Sequence, residues 1–255
     1  MLKKERQKKR FKAIGKAMYG HLTAFFELQN PEGLHHFRIQ VKKMKALLFF
    51  LHNGVLEKHE TKHLQLVQHI FKHAGRIRTA HLNIGLLTQS PLADLSYKIE
   101  QENIKKNEIE RFIARRHAYI KTVKSIRKGF NNAFRDINDK NIVALYKKHL
   151  KKIFGILKQS NDRIEKWHKI RKKIKNLLYL YQILPKSLAR KLHLNEAYLE
   201  HLQEAIGEWH DVILLLELLK TEAYANRNEI AAIQRKKRRL CRSVQKLSDE
   251  FEIYE

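Results

Sequence analysis

Apolar residues recur at steps of three and four along almost the whole chain. This spacing places them on one side of a helix, and the alternation typical of strands is scarce. Only 3 Pro and 9 Gly interrupt the 255 residues. The pattern therefore predicts an all-α protein of about eight to ten helices. Its breaks are predicted near Asn30-Pro31, Asn53-Gly54, Ser90-Pro91, Asn138-Asp139, Ser160-Asn161 and Pro185.

One stretch of the chain occurs twice. When Leu34–Leu51 is aligned with Trp167–Leu184, at an offset of 133 residues, the seven core-register positions of the first segment each meet an apolar residue of the second. These positions are Leu34, Phe37, Val41, Met44, Leu47, Leu48 and Leu51. Further along, Gly75–Thr79 aligns with Gly207–Asp211 at an offset of 132 residues. Two separate landmarks that keep nearly one offset indicate an internal duplication. We predict a single domain, 1–255, with repeat halves at about 1–135 and 136–255.

The repeated helix carries a row of cationic residues, which we call the cationic stripe. At 100° per residue the row runs beside the apolar face of the helix instead of opposite it. Arg offers forked donors for phosphate oxygens, Lys a point charge, and His a donor that becomes cationic near a polyanion. A solvated face has little reason to repeat a repulsive row of like charges, so the stripe predicts anion binding. The stripe comprises His35, Arg38, Lys42 and Lys45, then His168, Arg171 and Lys175, and in the second copy it is continued by Leu178, Tyr179 and Gln182.

Composition supports a polyanionic partner. The chain has 53 Lys plus Arg against 26 Asp plus Glu, a formal charge of +27. Such a charge attracts nucleic acid, polyphosphate, acidic proteins or anionic surfaces. Further basic residues are predicted on one long helix from Arg111 to Lys128 and near the C-terminus from Arg235 to Arg242, where solvation is the commoner outcome.

Nothing in the sequence indicates secretion or a membrane span. Cys241 is the only cysteine, so no internal disulfide is expected. The basic N-terminus is not followed by a long apolar stretch, and no window has the length and apolarity of a membrane helix. We therefore expect a cytoplasmic protein with no membrane partner.

Residues His59-Glu60-Thr61-Lys62-His63 match the zinc protease signature H-E-x-x-H, and His69 follows as a third histidine. The longer protease signature needs a glycine that ends the helix, and Leu66 stands in that place. On a continuing helix His69 is turned about 240° away from His63. A zinc protease is therefore the weaker hypothesis, and adventitious metal binding by His59 and His63 is a second alternative.

The stripe also carries a specific resemblance. The pattern H-x-x-R-x-x-x-[KR]-[KR]-x-[KR] begins at His35 and recurs at His168 as H-x-x-R-x-x-x-K-x-x-x-Y, each copy followed by a G-x-x-x-[DT] segment. This arrangement resembles the CHAD family (conserved histidine α-helical domain) over essentially the whole chain. The resemblance implies two four-helix bundles related by a pseudo-twofold axis, with a basic groove or pore between them. It also implies binding of inorganic polyphosphate, association with polyphosphate granules, and no catalysis, cofactor or metal.

Carried onto matching positions, the resemblance assigns a set of polyphosphate-binding residues. Two positions depart from the family pattern: Leu178 stands where an arginine usually precedes the tyrosine, and Arg78-Thr79 stands where Arg-Asp is usual. The assigned residues are His35, Arg38, Lys42, Lys43, Lys45, Arg78, His168, Arg171, Lys175 and Tyr179.

Nucleic acid is the main alternative ligand. Single-strand binders add aromatic side chains that stack on bases, whereas Phe37, Trp167 and Tyr181 fall in the core register here. Bare polyphosphate needs only charge and donors, which the stripe supplies. The sequence therefore favours polyphosphate, with non-specific nucleic-acid binding expected at low salt.

Overall fold

The computed structural model describes residues 1–51, 58–88, 95–130, 134–158, 163–221 and 227–251. Within these ranges the regular structure is ten helices and an isolated bridge between Leu2 and Ile137, which confirms the all-α prediction. The helices are α1 (Lys4–Leu28), α2 (Pro31–Leu51), α3 (Lys58–Thr88), α4 (Leu95–Ala114), α5 (Arg116–Gly129), α6 (Asp139–Lys158), α7 (Arg163–Tyr181), α8 (Lys186–Lys191), α9 (Glu196–Thr221) and α10 (Arg227–Asp249).

The predicted breaks that fall on described residues are confirmed. The Asn30 side chain accepts a hydrogen bond from the Glu32 amide at 3.0 Å, where α2 begins. Asn138 accepts one from the Lys140 amide at 2.9 Å, where α6 begins. These bonds satisfy amides that have no partner within the first helical turn. Pro185 directly precedes α8. The breaks predicted at Asn53-Gly54, Ser90-Pro91 and Ser160-Asn161 lie outside the described residues.

The long basic helix predicted from Arg111 to Lys128 is divided at Arg115. That residue has φ −97° and ψ 11°, outside the helical range, and separates α4 from α5. Its amide donates to the Phe112 carbonyl at 3.2 Å, three residues back instead of four. The tighter turn redirects the chain without a proline or glycine, so residue type did not reveal it.

The chain forms two compact units. We call Leu2–Thr88 with Leu95–Ile137 the N-terminal unit, and Met1 with Asn138–Glu255 the C-terminal unit. In the N-terminal unit α1 packs against α2 and α5, while α3 packs against α2, α4 and α5. The rings of Phe25 and Phe112 meet edge to face at 5.4 Å in its core. This packing fixes α2 beside α3, which is the contact that the cationic stripe borders.

In the C-terminal unit α7 packs against α6 and α9, and α9 packs against α10. Trp167 of α7 and Trp209 of α9 are buried and meet edge to face, with ring centroids 4.5 Å apart. Aromatic pairs in this geometry contribute about 0.5–1.5 kcal/mol beyond the area that they bury. The pair therefore holds α7 against α9. The origin of the two units by duplication stays a prediction.

None of the helices that the structure describes is both long enough and apolar enough to cross a membrane.

Candidate anion-binding sites

In the N-terminal unit Arg38 of α2 lies across α3. Its guanidinium donates a hydrogen bond to the Phe71 carbonyl and lies 4.0 Å from the centroid of the Phe71 ring. It also rests on Gly75: a Cβ atom at that glycine would collide with Arg38 Nη1, so the guanidinium would have to move aside. The missing side chain at Gly75 is therefore what admits the arginine. We call this arrangement the N-terminal site.

Arg78 and His35 lie close to Arg38. Arg78 pairs with Glu32 at 2.7 Å. Burial raises the pKa of Glu32, but the charge and hydrogen bond of Arg78 lower it, and the pKa falls below its usual value. Burial lowers the pKa of His35, and the charge of Arg78 lowers it further. Burial and the charge of Arg78 also lower the pKa of Arg38. Three of the assigned residues are thus brought together.

Lys45 joins the same surface, whereas Lys43 does not. Lys45 donates to Gln68 and lies 5.7 Å from the centroid of the Phe71 ring. Lys43 is on the other flank of α2: burial lowers its pKa, and so does the charge of Arg10 on α1. Lys42 lies on α2 between the two flanks and is partly buried. Lys43 is therefore placed away from the arginine that anchors the site.

A pocket of about 600 Å³ opens beside Arg38, between α2, α3 and α4. Its wall includes Lys72, Arg76 and Thr79 of α3 and Glu108 of α4. Arg76 donates to Glu108 at 2.6 Å, which holds the two helices together at one side of the pocket. Lys72 and Thr79 are exposed. The pocket thus adds a lysine from α3 to the cations that α2 supplies.

The C-terminal unit repeats the arginine geometry. Arg171 of α7 donates from Nε to the Gln203 carbonyl of α9 at 3.1 Å. A Cβ atom at Gly207 would lie 2.8 Å from Arg171 Nη2. The accepting carbonyl precedes the glycine by four residues, as Phe71 precedes Gly75. The aligned arginines therefore rest on aligned glycines, and we call this second arrangement the C-terminal site.

The other assigned residues of α7 lie near Arg171. His168 stacks on His210 at a centroid distance of 5.1 Å. Burial lowers the pKa of Lys175, and so does Arg171, whereas the carboxylates of Glu204 and Asp211 act in the opposite direction. Burial raises the pKa of Tyr179, against the lowering effect of Arg171.

Sequence reasoning missed the contribution of the glycine-bearing helices. Lys72 and Thr79 on α3, like Glu204 and Asp211 on α9, lie three residues before and four residues after their glycine. Residues at this spacing share one helix face with the glycine. The spacing was visible in the sequence, but only the arginine contact identifies the face as part of a site. Leu178, which continued the predicted stripe, is instead buried in the core.

The protease-like motif does not have the shape of a protease site. α3 continues without interruption past Leu66 to Thr88, so the helix-ending turn of the longer signature is absent. In the part of the chain that the structure describes, no group of three metal-binding side chains is found. The side chains of His59 and Glu60 lie outside the described residues, so metal binding there stays a prediction.

The histidines predict acid sensitivity. Among the residues that the structure describes, burial lowers the pKa of six histidines in the folded protein, so the unfolded chain takes up protons first as the pH falls below about 6.5. We expect the melting temperature to fall by several degrees between about pH 7.5 and pH 5.5, as thermal melts would measure. A constant melting temperature would contradict the lowered pKa values. The six are His21, His35, His73, His81, His149 and His168.

Comparison with known proteins now identifies the family. The CHAD domain family matches residues 13–220, which include both arginines and both glycines. The chain belongs to the CHAD family. The crystal structure of the CHAD domain from the plant Ricinus communis has the same fold, with a TM-score of 0.70 at 14% identity over 98% of this chain and 92% of that one. No curated protein matches the sequence.

The CHAD match leaves one helix outside it. α10 (Arg227–Asp249) lies beyond residue 220, although it packs against α9 within the C-terminal unit. Arg235 and Arg239 on this helix are exposed. The two sites built on α2 with α3 and on α7 with α9 therefore lie within the matched residues, and the α10 cations lie beyond them.

Proposed function

We propose that this CHAD protein binds inorganic polyphosphate without cleaving it, through the N-terminal and C-terminal sites. The observation that carries the proposal is the repeated arginine: Arg38 and Arg171 are each held by a backbone carbonyl of the neighbouring helix, over a glycine. A guanidinium has five N–H donors, more than one carbonyl can accept. An arginine fixed in this way offers its remaining donors to phosphate oxygens with little further loss of conformational freedom.

The neighbouring side chains support an anionic ligand. Lys45 and Lys175 lie beside the two arginines, and His35 and His168 have lowered pKa values because of burial and nearby cations. A bound polyanion would offset that repulsion and raise the histidine pKa values. Binding therefore takes up protons, and affinity should rise as the pH falls towards 5.5.

Cations are what the two sites have in common, which is why we propose binding and not catalysis. Metal-assisted cleavage of phosphoanhydride bonds uses carboxylates to hold the metal. At the C-terminal site Glu204 and Asp211 act on Lys175, whereas the aligned positions of α3 hold Lys72 and Thr79. Glu108 in the N-terminal pocket is already paired with Arg76. The proposed role is retention of polyphosphate in the cytoplasm, at polyphosphate granules.

Polyphosphate is preferred to nucleic acid because few aromatic side chains are exposed on α2 and α7, where Phe49 is the half-exposed one among the described residues. Phe37 and Trp167 are buried in their units, and Phe71 lies under Arg38. Sequence-tolerant binders of single strands instead expose aromatic rings on which bases stack.

A competition experiment tests the proposal. Long-chain polyphosphate should displace single-stranded and duplex DNA of matched charge from the protein at near-physiological salt, with at least about tenfold higher affinity. The affinity for polyphosphate should also fall steeply with added salt, because each neutralised phosphate releases counterions. Equal or tighter binding of DNA would overturn the proposal and leave net charge as the determinant.

A further inference from the structure

The two sites differ in charge on the helix that carries the glycine. Lys72 and Thr79 flank Gly75 on α3, whereas Glu204 and Asp211 occupy the aligned positions on α9. All four of these side chains are exposed. Exchange of Lys for Glu changes the local charge by two units, and exchange of Thr for Asp changes it by one. Sites with the same arginine geometry therefore present different fields to an anion.

These charges act on the cations of each site. Burial lowers the pKa of Lys45, and the like charge of Lys72 lowers it further. In the C-terminal site Glu204 and Asp211 oppose the lowering of the Lys175 pKa. The α3 residues thus add to the positive charge around the N-terminal site, while the α9 residues compensate it around the C-terminal site.

The N-terminal site also has room beside its arginine. Lys72 and Thr79 line the pocket of about 600 Å³ that opens next to Arg38. A phosphate group in this pocket would meet Arg38 and Lys72 together, because the one carboxylate in the described wall, Glu108, is paired with Arg76. A phosphate group at the C-terminal site would instead approach the carboxylates of Glu204 and Asp211. These groups carry the same sign of charge as the phosphate and repel it.

We propose that the N-terminal site is the tighter of the two polyphosphate sites, and that the residues at positions 72 and 79 and at 204 and 211 determine the difference. The inference rests on the proposed function. Exposed charges are screened beyond about 8 Å at physiological salt, so only those adjacent to the phosphate have a large effect. The four positions satisfy that condition because each shares a helix face with its glycine.

Single arginine variants give the first test. With long-chain inorganic polyphosphate as the probe in isothermal titration calorimetry, Arg38→Ala should lower affinity about thirtyfold and Arg171→Ala about threefold. The wild-type chain is measured in parallel. Circular dichroism spectra and melting temperatures of the variants establish that both remain folded.

A reciprocal exchange gives the second test and keeps the net charge constant. In the exchanged protein the carboxylates flank Gly75 and the lysine flanks Gly207, so Arg171→Ala should now be the more damaging change. Because all four positions are exposed, the exchange does not alter the core. The exchanged protein carries Lys72→Glu, Thr79→Asp, Glu204→Lys and Asp211→Thr.

The outcomes separate this inference from the proposed function. Equal losses for the two arginine variants, or an order that the exchange leaves unchanged, would overturn the inference while polyphosphate binding by the wild-type chain stands. Failure of the wild-type chain to bind polyphosphate would overturn both. A reversal of the order on exchange would establish that these four positions set the affinity of each site.

Discussion

Replacing both Arg38 and Arg171 with alanine is expected to lower the affinity for long-chain polyphosphate about a hundredfold at near-physiological salt. Hydrogen bonds to charged groups contribute about 1.5–3 kcal/mol each, and tenfold in affinity corresponds to about 1.4 kcal/mol. One such contact at Arg38 accounts for about thirtyfold of this loss, and the weaker contact at Arg171 for the remaining factor of about three. Fluorescence titration with labelled polyphosphate would measure it. The double variant should remain folded, because each arginine packs on the edge of its unit and not in the core.

A second pair of substitutions serves as the control for the loss of two positive charges. Arg235→Ala with Arg239→Ala removes the same two charges from α10, outside the matched CHAD region. This pair is expected to lower affinity less than threefold, through the long-range field alone. If the α10 pair and the Arg38 and Arg171 pair weakened binding equally, the two sites would have no special role.

The fold could be predicted from the sequence to a large extent, because it depends on periodicity. Phe37 and Val41 of α2 were placed in the core by helical spacing, and both are buried. The break at Arg115 could not be predicted, since it arises from a tightened turn in a sequence of good helix formers. Helix propensity is local, whereas the direction of a helix after such a turn depends on packing against α1 and α3.

The site was predicted in part. Helical angles placed Arg38 and Arg171 on the flank of their helices, but not which backbone group each would contact. The carbonyls of Phe71 and Gln203 are more than 30 residues away along the chain, and backbone acceptors leave no mark on residue type. Lys43 is the opposite case. The motif match grouped it with Arg38, whereas its position on α2 brings it close to Arg10 of α1.

The contact with arginine explains why the G-x-x-x-[DT] segment begins with glycine, which has no functional side chain. A helix interior normally disfavours glycine by about 1 kcal/mol relative to alanine. At Gly75 and Gly207 an added side chain would displace the guanidinium, so glycine at these helix positions leaves room for the arginine. Each glycine therefore lowers the local stability of its helix and allows the arginine to be held in place. Substitution of the glycine tests this interpretation.

Gly75→Ala is expected to lower polyphosphate affinity about tenfold while leaving the free energy of unfolding nearly unchanged. The added methyl group would collide with Arg38 Nη1, so we expect the guanidinium to shift away from the Phe71 carbonyl. The lost hydrogen bond of about 1 kcal/mol is offset by a gain in helix propensity of similar size. Calorimetric titration gives the affinity, and denaturant unfolding gives the stability.

Gly20→Ala in α1 is the matched control, because no atom outside its own helix backbone lies within 4 Å of the added Cβ. It should raise the free energy of unfolding by up to about 1 kcal/mol and leave affinity unchanged. Loss of binding in Gly75→Ala alone would then be due to the displaced arginine, since both variants gain the same methyl group in a helix. Unchanged binding in Gly75→Ala would mean that the fixed position of Arg38 is not required.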